Sequence, residues 1–197
     1  MNSNSEKFYD RLTFLYPVID LFLKPQKRGL FKRINGCPRG ELLEIGVGNG
    51  AHLKYYKTHD VTGIDTSESM LVRARKHQAN NIQLIHMNGE TLLFPNEAFD
   101  YIVLSHVIAV VDDPEKLMTE VYRVLKPNGK VFILNHFTPD NWLKYLDKVF
   151  ERISRLLYFK SVFHMSALQQ IQKFKLSGEF NAGMFSYFKI MIYEKNI

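Results

Sequence analysis

The sequence predicts an α/β fold: a doubly wound, mostly parallel seven-stranded sheet with a helical cap at its N-terminus. Three observations carry this. Strand-like and helix-like runs alternate from Glu41 to Asn135, the pattern that winds a parallel sheet through right-handed crossovers and covers both its faces. The first strand-like run breaks into Gly46, Gly48 and Gly50, where a backbone free of Cβ atoms can turn tightly and admit a ligand. Asp65 closes the second run, twenty-one residues after Glu44. In such folds a glycine turn after one strand and an acid at the end of the next frame a nucleotide site.

Each element has its own signal. Over residues 6–23, Phe8, Leu12, Leu15, Ile19 and Phe22 recur at helical spacing. Pro17 divides or kinks this segment, because it removes a donor and restricts Tyr16. Pro25 then opens a basic amphipathic helix, QKRGLFKRI. The core reads as strand 41–45, a helix near 51–57, strand 60–65 and a helix near 67–79. Ser67 opens that second helix, with Met70 and Leu71 on its buried side. Strands 82–86 and 99–105, a helix at 114–125 and strand 130–135 complete the parallel set, with Asn128-Gly129 as the last turn. Residues 141–159 form an amphipathic helix. Trp142, Leu146, Val149, Ile153 and Leu156 make its apolar stripe, and Lys144, Lys148, Arg152 and Arg155 lie on another face. Two final strands, 173–181 and 185–194, are expected as antiparallel additions at one sheet edge. The chain reads as one domain over 1–197, with the cap at 1–38, a ligand-binding core at 39–137, and the amphipathic helix and last strands at 138–197.

Composition narrows the function. The 197 residues, 46% hydrophobic and 23% charged, suit an ordinary soluble domain with a substantial core. The single cysteine, Cys37, leaves no internal disulfide framework and fits a reducing compartment. MNSNSEKFYD lacks the apolar core of a signal peptide, and no run of about 18 apolar residues offers a membrane span. The expected location is cytoplasmic. No histidine or cysteine cluster has metal-ligand spacing, so no metal is expected. The net charge of +6 divides unevenly: +4 over residues 1–35, −3 over 36–140 and +5 over 141–197. Basic flanks around a mildly acidic core suit an anionic membrane surface or nucleic acid, and equally a solvated basic surface.

The glycine turn fits two cofactor classes. Gly46-x-Gly48-x-x-Ala51 matches the loose dinucleotide pattern, so a nicotinamide cofactor is one reading. The same residues also read as E-x-G-x-G-x-G, from Glu44 to Gly50. Little chain remains for a separate substrate domain, and no hydride-transfer constellation is identifiable, which weighs against the dinucleotide reading.

Four blocks in order, ELLEIGVGNGAHL, VTGIDTSESML, MNGETLLFPNEAFDYIV and RVLKPNGKVFI, resemble the motifs of class I S-adenosylmethionine-dependent methyltransferases, a Rossmann-like fold. The resemblance covers nearly the whole chain. It implies S-adenosylmethionine as cofactor, held by Tyr9, Glu44, Gly46, Gly48, Asn49, Gly50, Asp65, Thr66, Met70, Asn88, Gly89, Glu90 and Ser105. Asp65 would take both ribose hydroxyls, and Gly89 would offer its N–H to an adenine ring nitrogen. Glu44 would face the cationic groups of the cofactor or bond the loop amides. Asn88 stands where the family usually has an aspartate, and its side-chain oxygen can still accept from the adenine amine.

YDRLTFLYPVIDLFL, SHVIAVVDDPEKLMTEVYRVLKPNGKVFILNHF and the basic 141–159 helix further resemble bacterial phosphatidylethanolamine N-methyltransferases of the soluble, membrane-associating type. Quinone-biosynthesis C-methyltransferases share the YDR start and most of the middle. The first reading implies a phospholipid acceptor and peripheral attachment to the inner membrane face through the basic flanks and amphipathic helices, which otherwise serve only to cap the cleft. The second implies a small soluble or quinone-type acceptor. A non-catalytic cofactor-binding module is a third possibility. His106 and His136 are the candidates for taking or relaying a proton from an amine. Tyr16, with Tyr9 and Tyr158, can offer an aromatic face to a quaternary ammonium. The Asn/Asp-Pro-Pro-aromatic motif of amino-methylating nucleic-acid enzymes is absent after the fourth strand. No nucleic-acid partner is therefore expected, and the chain is expected to be a monomer.

Overall fold

A computed structural model describes residues 27–136, 168–182 and 188–196. The expectations for helices 6–23 and 141–159, for Tyr9, Tyr16 and Tyr158, and for the His136 side chain lie outside the described residues.

Seven strands form one sheet: β1 (Glu41–Ile45), β2 (Asp60–Asp65), β3 (Ile82–His86), β4 (Phe99–Ser105), β5 (Leu125–His136), β6 (Phe174–Ala182) and β7 (Phe188–Lys195). Their order is β3-β2-β1-β4-β5-β7-β6. The first five run parallel, and β7 is antiparallel to both β5 and β6. This is the doubly wound, mostly parallel sheet expected from the alternation, with the last two strands at one edge. β1 lies between β2 and β4, so the chain reverses its direction of travel across the sheet there. Ligands of open α/β sheets bind at the carboxyl ends of the strands at such a point.

Both faces are covered, as buried parallel strands require. Helix α1 (27–34) places Leu30, Phe31 and Ile34 in a core with Leu42, Val103 and Phe132. Helix α3 (Pro114–Val124) places Leu117, Met118 and Val121 on the opposite face with Leu43, Ile102 and Ile133. The neighbours Leu42 and Leu43 enter different cores because side chains alternate along a strand.

The structure corrects three boundaries. The helix expected near 51–57 is one 3-10 turn, Leu53–Tyr55. Asn35, just beyond α1, donates its side-chain amide to the Tyr55 carbonyl and accepts from Lys57 N–H. Those backbone groups are thereby satisfied from outside, and the segment gains nothing by extending as a helix. The helix expected near 67–79 is shorter: α2 (Glu68–Ala74) runs into a 3-10 turn at Arg75–His77. Its start is as expected, with the Ser67 hydroxyl accepting from Met70 N–H. Finally, β5 begins at Leu125 rather than 130. Leu125 pairs with Phe99, and the register then slips so that Lys130 pairs with Tyr101. Pro127 has no N–H for the ladder and Asn128 takes a left-handed φ of 60°, so residues 126–129 leave the pairing without ending the strand.

Candidate functional site

The carboxyl ends of β1, β2, β3 and β4 gather the expected residues. Gly46, Gly48 and Gly50 leave β1 with φ of 76°, 56° and 69°, backbone that side chains disfavour. The two later glycines are there for different reasons. A Cβ on Gly48 would meet nothing within 4 Å, so this glycine faces open space. A Cβ on Gly50 would lie 2.7 Å from the Ala74 Cα in α2, so this glycine lets the turn pack on that helix. Asn49 tightens the turn by accepting from Ala51 N–H.

Asp65, at the end of β2, holds the turn from across the sheet. Its Oδ2 accepts from Gly48 N–H at 2.8 Å and its Oδ1 from Ser67 N–H at 2.9 Å. Burial pushes its carboxyl pKa up, while the Ser67, Gly48 and Thr66 amides pull it back. A carboxylate offers about four lone-pair sites, so Asp65 keeps acceptor capacity beyond these amides. Thr66 follows, its carbonyl accepting from the His86 ring. Met70 is buried in α2.

Glu44 is buried under the glycine turn, at 1% exposure. His52 Nε2 lies 2.8 Å from its Oε1, and the Tyr56 hydroxyl donates to its Oε2 at 2.9 Å. The Tyr56 pKa is held well above its usual value, first by burial and then by the Glu44 charge, so the phenol stays a donor. The edge of the Phe31 ring meets the Tyr56 ring, with centroids 4.9 Å apart. Glu44 is thus tied to His52 and Tyr56, and through Phe31 to α1.

The loop after β3 carries Asn88, Gly89 and Glu90. Asn88 Oδ1 accepts from Glu90 N–H at 2.9 Å. A Cβ on Gly89 would come within 2.6 Å of Ile45, so the loop packs tightly against the end of β1. Glu90 turns away from Asn88 and accepts from Asp112 and Asp113 N–H. At the end of β4 the Ser105 hydroxyl oxygen is buried, with no hydrogen-bond partner among the described residues. His106 takes a left-handed φ of 61°. Its N–H bonds the Leu134 carbonyl, and its ring meets the Phe188 ring edge-on at 5.6 Å. Backbone register sets His136 opposite Phe188. The two histidines therefore occupy adjacent strand ends.

Residues 43–133 match the family model described as a methyltransferase domain. The local chemistry fits S-adenosylmethionine, the cofactor that the four sequence blocks imply. Asp65 has acceptor capacity to spare, the turn is open over Gly48, and the Ser105 hydroxyl lacks a described partner. The chain is 38% identical over 131 residues to a phosphatidylethanolamine N-methyltransferase of Cereibacter sphaeroides, an alignment spanning 63% of this chain and 64% of that protein. It is 30% identical over 141 residues to a demethylmenaquinone methyltransferase of Listeria welshimeri, spanning 64% of this chain and 60% of that one. The matches thus leave over a third of each relative's length unaligned. Among solved structures, a Thermotoga maritima S-adenosylmethionine-dependent methyltransferase described as a possible histamine N-methyltransferase shares the fold. It has a TM-score of 0.74 at 20% identity, over 96% of this chain and 99% of that one.

Several residues of the methyltransferase domain that shape the site were not singled out from sequence. His52 and Tyr56 hold Glu44, yet they sit eight and twelve residues beyond it; His52 lies in the ELLEIGVGNGAHL block without being singled out, and Tyr56 falls outside all four blocks. Arg123, inside the RVLKPNGKVFI block, donates to the Leu92 and Phe94 carbonyls, to Asn96 and to Glu120. It thereby pins the loop that Asn88 begins. The arginine in that block was the available signal. Among the described residues no group of three or more His, Cys, Asp or Glu is arranged to hold a metal.

Proposed function

We propose that the chain methylates the amine headgroup of phosphatidylethanolamine at a membrane surface. The observation that carries this reading is the 38% identity to the Cereibacter sphaeroides enzyme. The charge distribution supports it, since both flanks of the acidic core are basic and an anionic leaflet attracts such segments. In this reading the protein is a cytoplasmic monomer attached peripherally to the membrane. Among the described residues no helix is long and apolar enough to cross a membrane.

S-adenosylmethionine supplies a methyl group activated by a sulfonium centre. Asp65 would bind the two ribose hydroxyls, the Asn88 side-chain oxygen would accept from the adenine amine, and Gly89 N–H would serve an adenine ring nitrogen. Glu44 places a buried negative charge beneath the turn, favourable to a cationic ligand. A primary ammonium must shed a proton before its nitrogen can act as a nucleophile. His106, held at the end of β4, takes that proton, and His136 at the neighbouring strand end relays it. Tyr16, Tyr9 and Tyr158 supply aromatic faces for the methylated cation. The remaining task of the protein is alignment, which can supply much of the rate.

Incubating the full chain with labelled S-adenosylmethionine and phosphatidylethanolamine vesicles, followed by lipid extraction, tests this. Label in mono-, di- and trimethylated lipid supports it, and label absent from the lipid while cofactor binding persists refutes it. A second reading, C-methylation of a quinone precursor, is favoured by the demethylmenaquinone methyltransferase match. Under it, label moves to the quinone ring.

A further inference from the structure

We propose that Glu90 is a positioning residue that couples cofactor occupancy at the Asn88-Gly89 turn to the loop 106–113. The inference rests on the reading of that turn as the adenine-facing one. Glu90 is bonded at both ends. Its N–H is held by Asn88 Oδ1 at 2.9 Å, and its carboxylate Oε1 accepts from Asp112 N–H at 2.9 Å and Asp113 N–H at 3.2 Å. One residue therefore joins the loop after β3 to the loop after β4.

The far end of this link matters because of where it leads. Asp113 caps α3 by accepting from Lys116 N–H. At the other end of the same loop, His106 N–H bonds the Leu134 carbonyl in β5, and Val107 and Ile108 are buried in the core. The loop thus starts at the proposed proton acceptor and ends on the Glu90 carboxylate. Whatever orders the 112–113 end fixes the stretch between it and the buried Val107, Ile108 and Ala109.

Geometry makes the link conditional. Two backbone N–H groups, of Asp112 and Asp113, share one carboxylate oxygen of Glu90, and charge-assisted hydrogen bonds of this kind hold only while donor and acceptor stay aligned. A ligand seated on the Asn88-Gly89 turn fixes the Glu90 backbone and with it the carboxylate. Cofactor binding then carries the ordering cost of loop 106–113, and the acceptor meets a formed surface. By reciprocity, an acceptor that orders the loop tightens the cofactor.

The test is amide hydrogen exchange on the full chain with and without S-adenosylhomocysteine, which occupies the cofactor site without turnover. It compares wild type, Glu90→Gln and Glu90→Ala. In wild type and in Glu90→Gln, whose side-chain oxygen can still accept, the ligand is expected to slow exchange at both 88–91 and 106–113. The effect on the Asp112 and Asp113 amides is about tenfold or more. In Glu90→Ala only 88–91 is slowed. Protection of 106–113 that survives in Glu90→Ala, or that never arises in wild type while 88–91 is protected, overturns the coupling alone. No protection at 88–91 in wild type overturns the adenine reading beneath it. Wild type by itself decides two of these outcomes, so a misfolded alanine variant does not rescue the proposal.

Discussion

Asp65 accepts the Gly48 N–H at 2.8 Å, so the acid expected to bind the cofactor ribose also anchors the glycine turn that borders it. Asp65→Ala should cost both functions. Loss of two hydrogen bonds to a charged acceptor predicts a fall in S-adenosylmethionine affinity of about a hundredfold or more. Calorimetric titration measures it, and a thermal melt separates the loss of the turn anchor.

The same burial sets a pH signature. The Asp65 carboxyl pKa is raised from its ordinary 3.8 by burial, so the ligand-free native state holds this proton more tightly than the unfolded chain. Its contribution to folding is therefore favourable below 3.8 and is lost as pH rises through the raised value. Cofactor affinity has the opposite sign, because the ionised acceptor is needed. It should be full above the raised pKa and fall on acidification, beginning at a higher pH than an unburied aspartate would give. Titrations from neutral pH downward, with Asp65→Asn as the flat control, check both signs.

Gly48 and Gly50 should respond differently to alanine. At Gly48 the added methyl enters open space, so the cost to folding is the left-handed strain, about 1–2 kcal/mol, and cofactor binding is hit harder than stability. At Gly50 the methyl meets the α2 backbone at 2.7 Å, which adds about 1–3 kcal/mol of overpacking. Urea melts paired with cofactor titrations distinguish the two.

Tyr56→Phe removes one of the two donors to the buried Glu44 carboxylate. It should destabilise the protein by about 1.5–3 kcal/mol, although Phe31 packing is kept. In a Glu44→Gln background the cost should shrink. A double-mutant cycle reads the coupling directly.

Arg123→Lys keeps the charge and loses the planar fork that reaches the Leu92 and Phe94 carbonyls. Amide exchange across 92–97 should quicken about tenfold, with the β-sheet core unaffected. Unchanged exchange there would show that the loop is held by other contacts.

The parts of the fold legible in the sequence are those with local causes. Strand alternation, the Ser67 cap, the glycine turn and the acid ending β2 each depend on residues near one another in the chain, so pattern alone places them. The misjudged parts depend on distant partners. Residues 51–57 look helical until Asn35 takes their backbone groups and Tyr56 is drawn to Glu44. Residues 126–129 look like a plain turn until Leu125 pairs with Phe99. Glu90 illustrates the same limit at the site, since it shares a motif with Asn88 and Gly89. Its carboxylate nonetheless bonds residues more than twenty positions away, a partnership that no spacing rule announces.

The most direct test of the account is the rate of S-adenosylhomocysteine release by the full chain with phosphatidylethanolamine in phosphatidylcholine vesicles, set against demethylmenaquinone in the same vesicles. The account predicts release that requires phosphatidylethanolamine and continues until the amine is fully methylated, with background release from the quinone. Release that requires the quinone and ignores the amine lipid would contradict it.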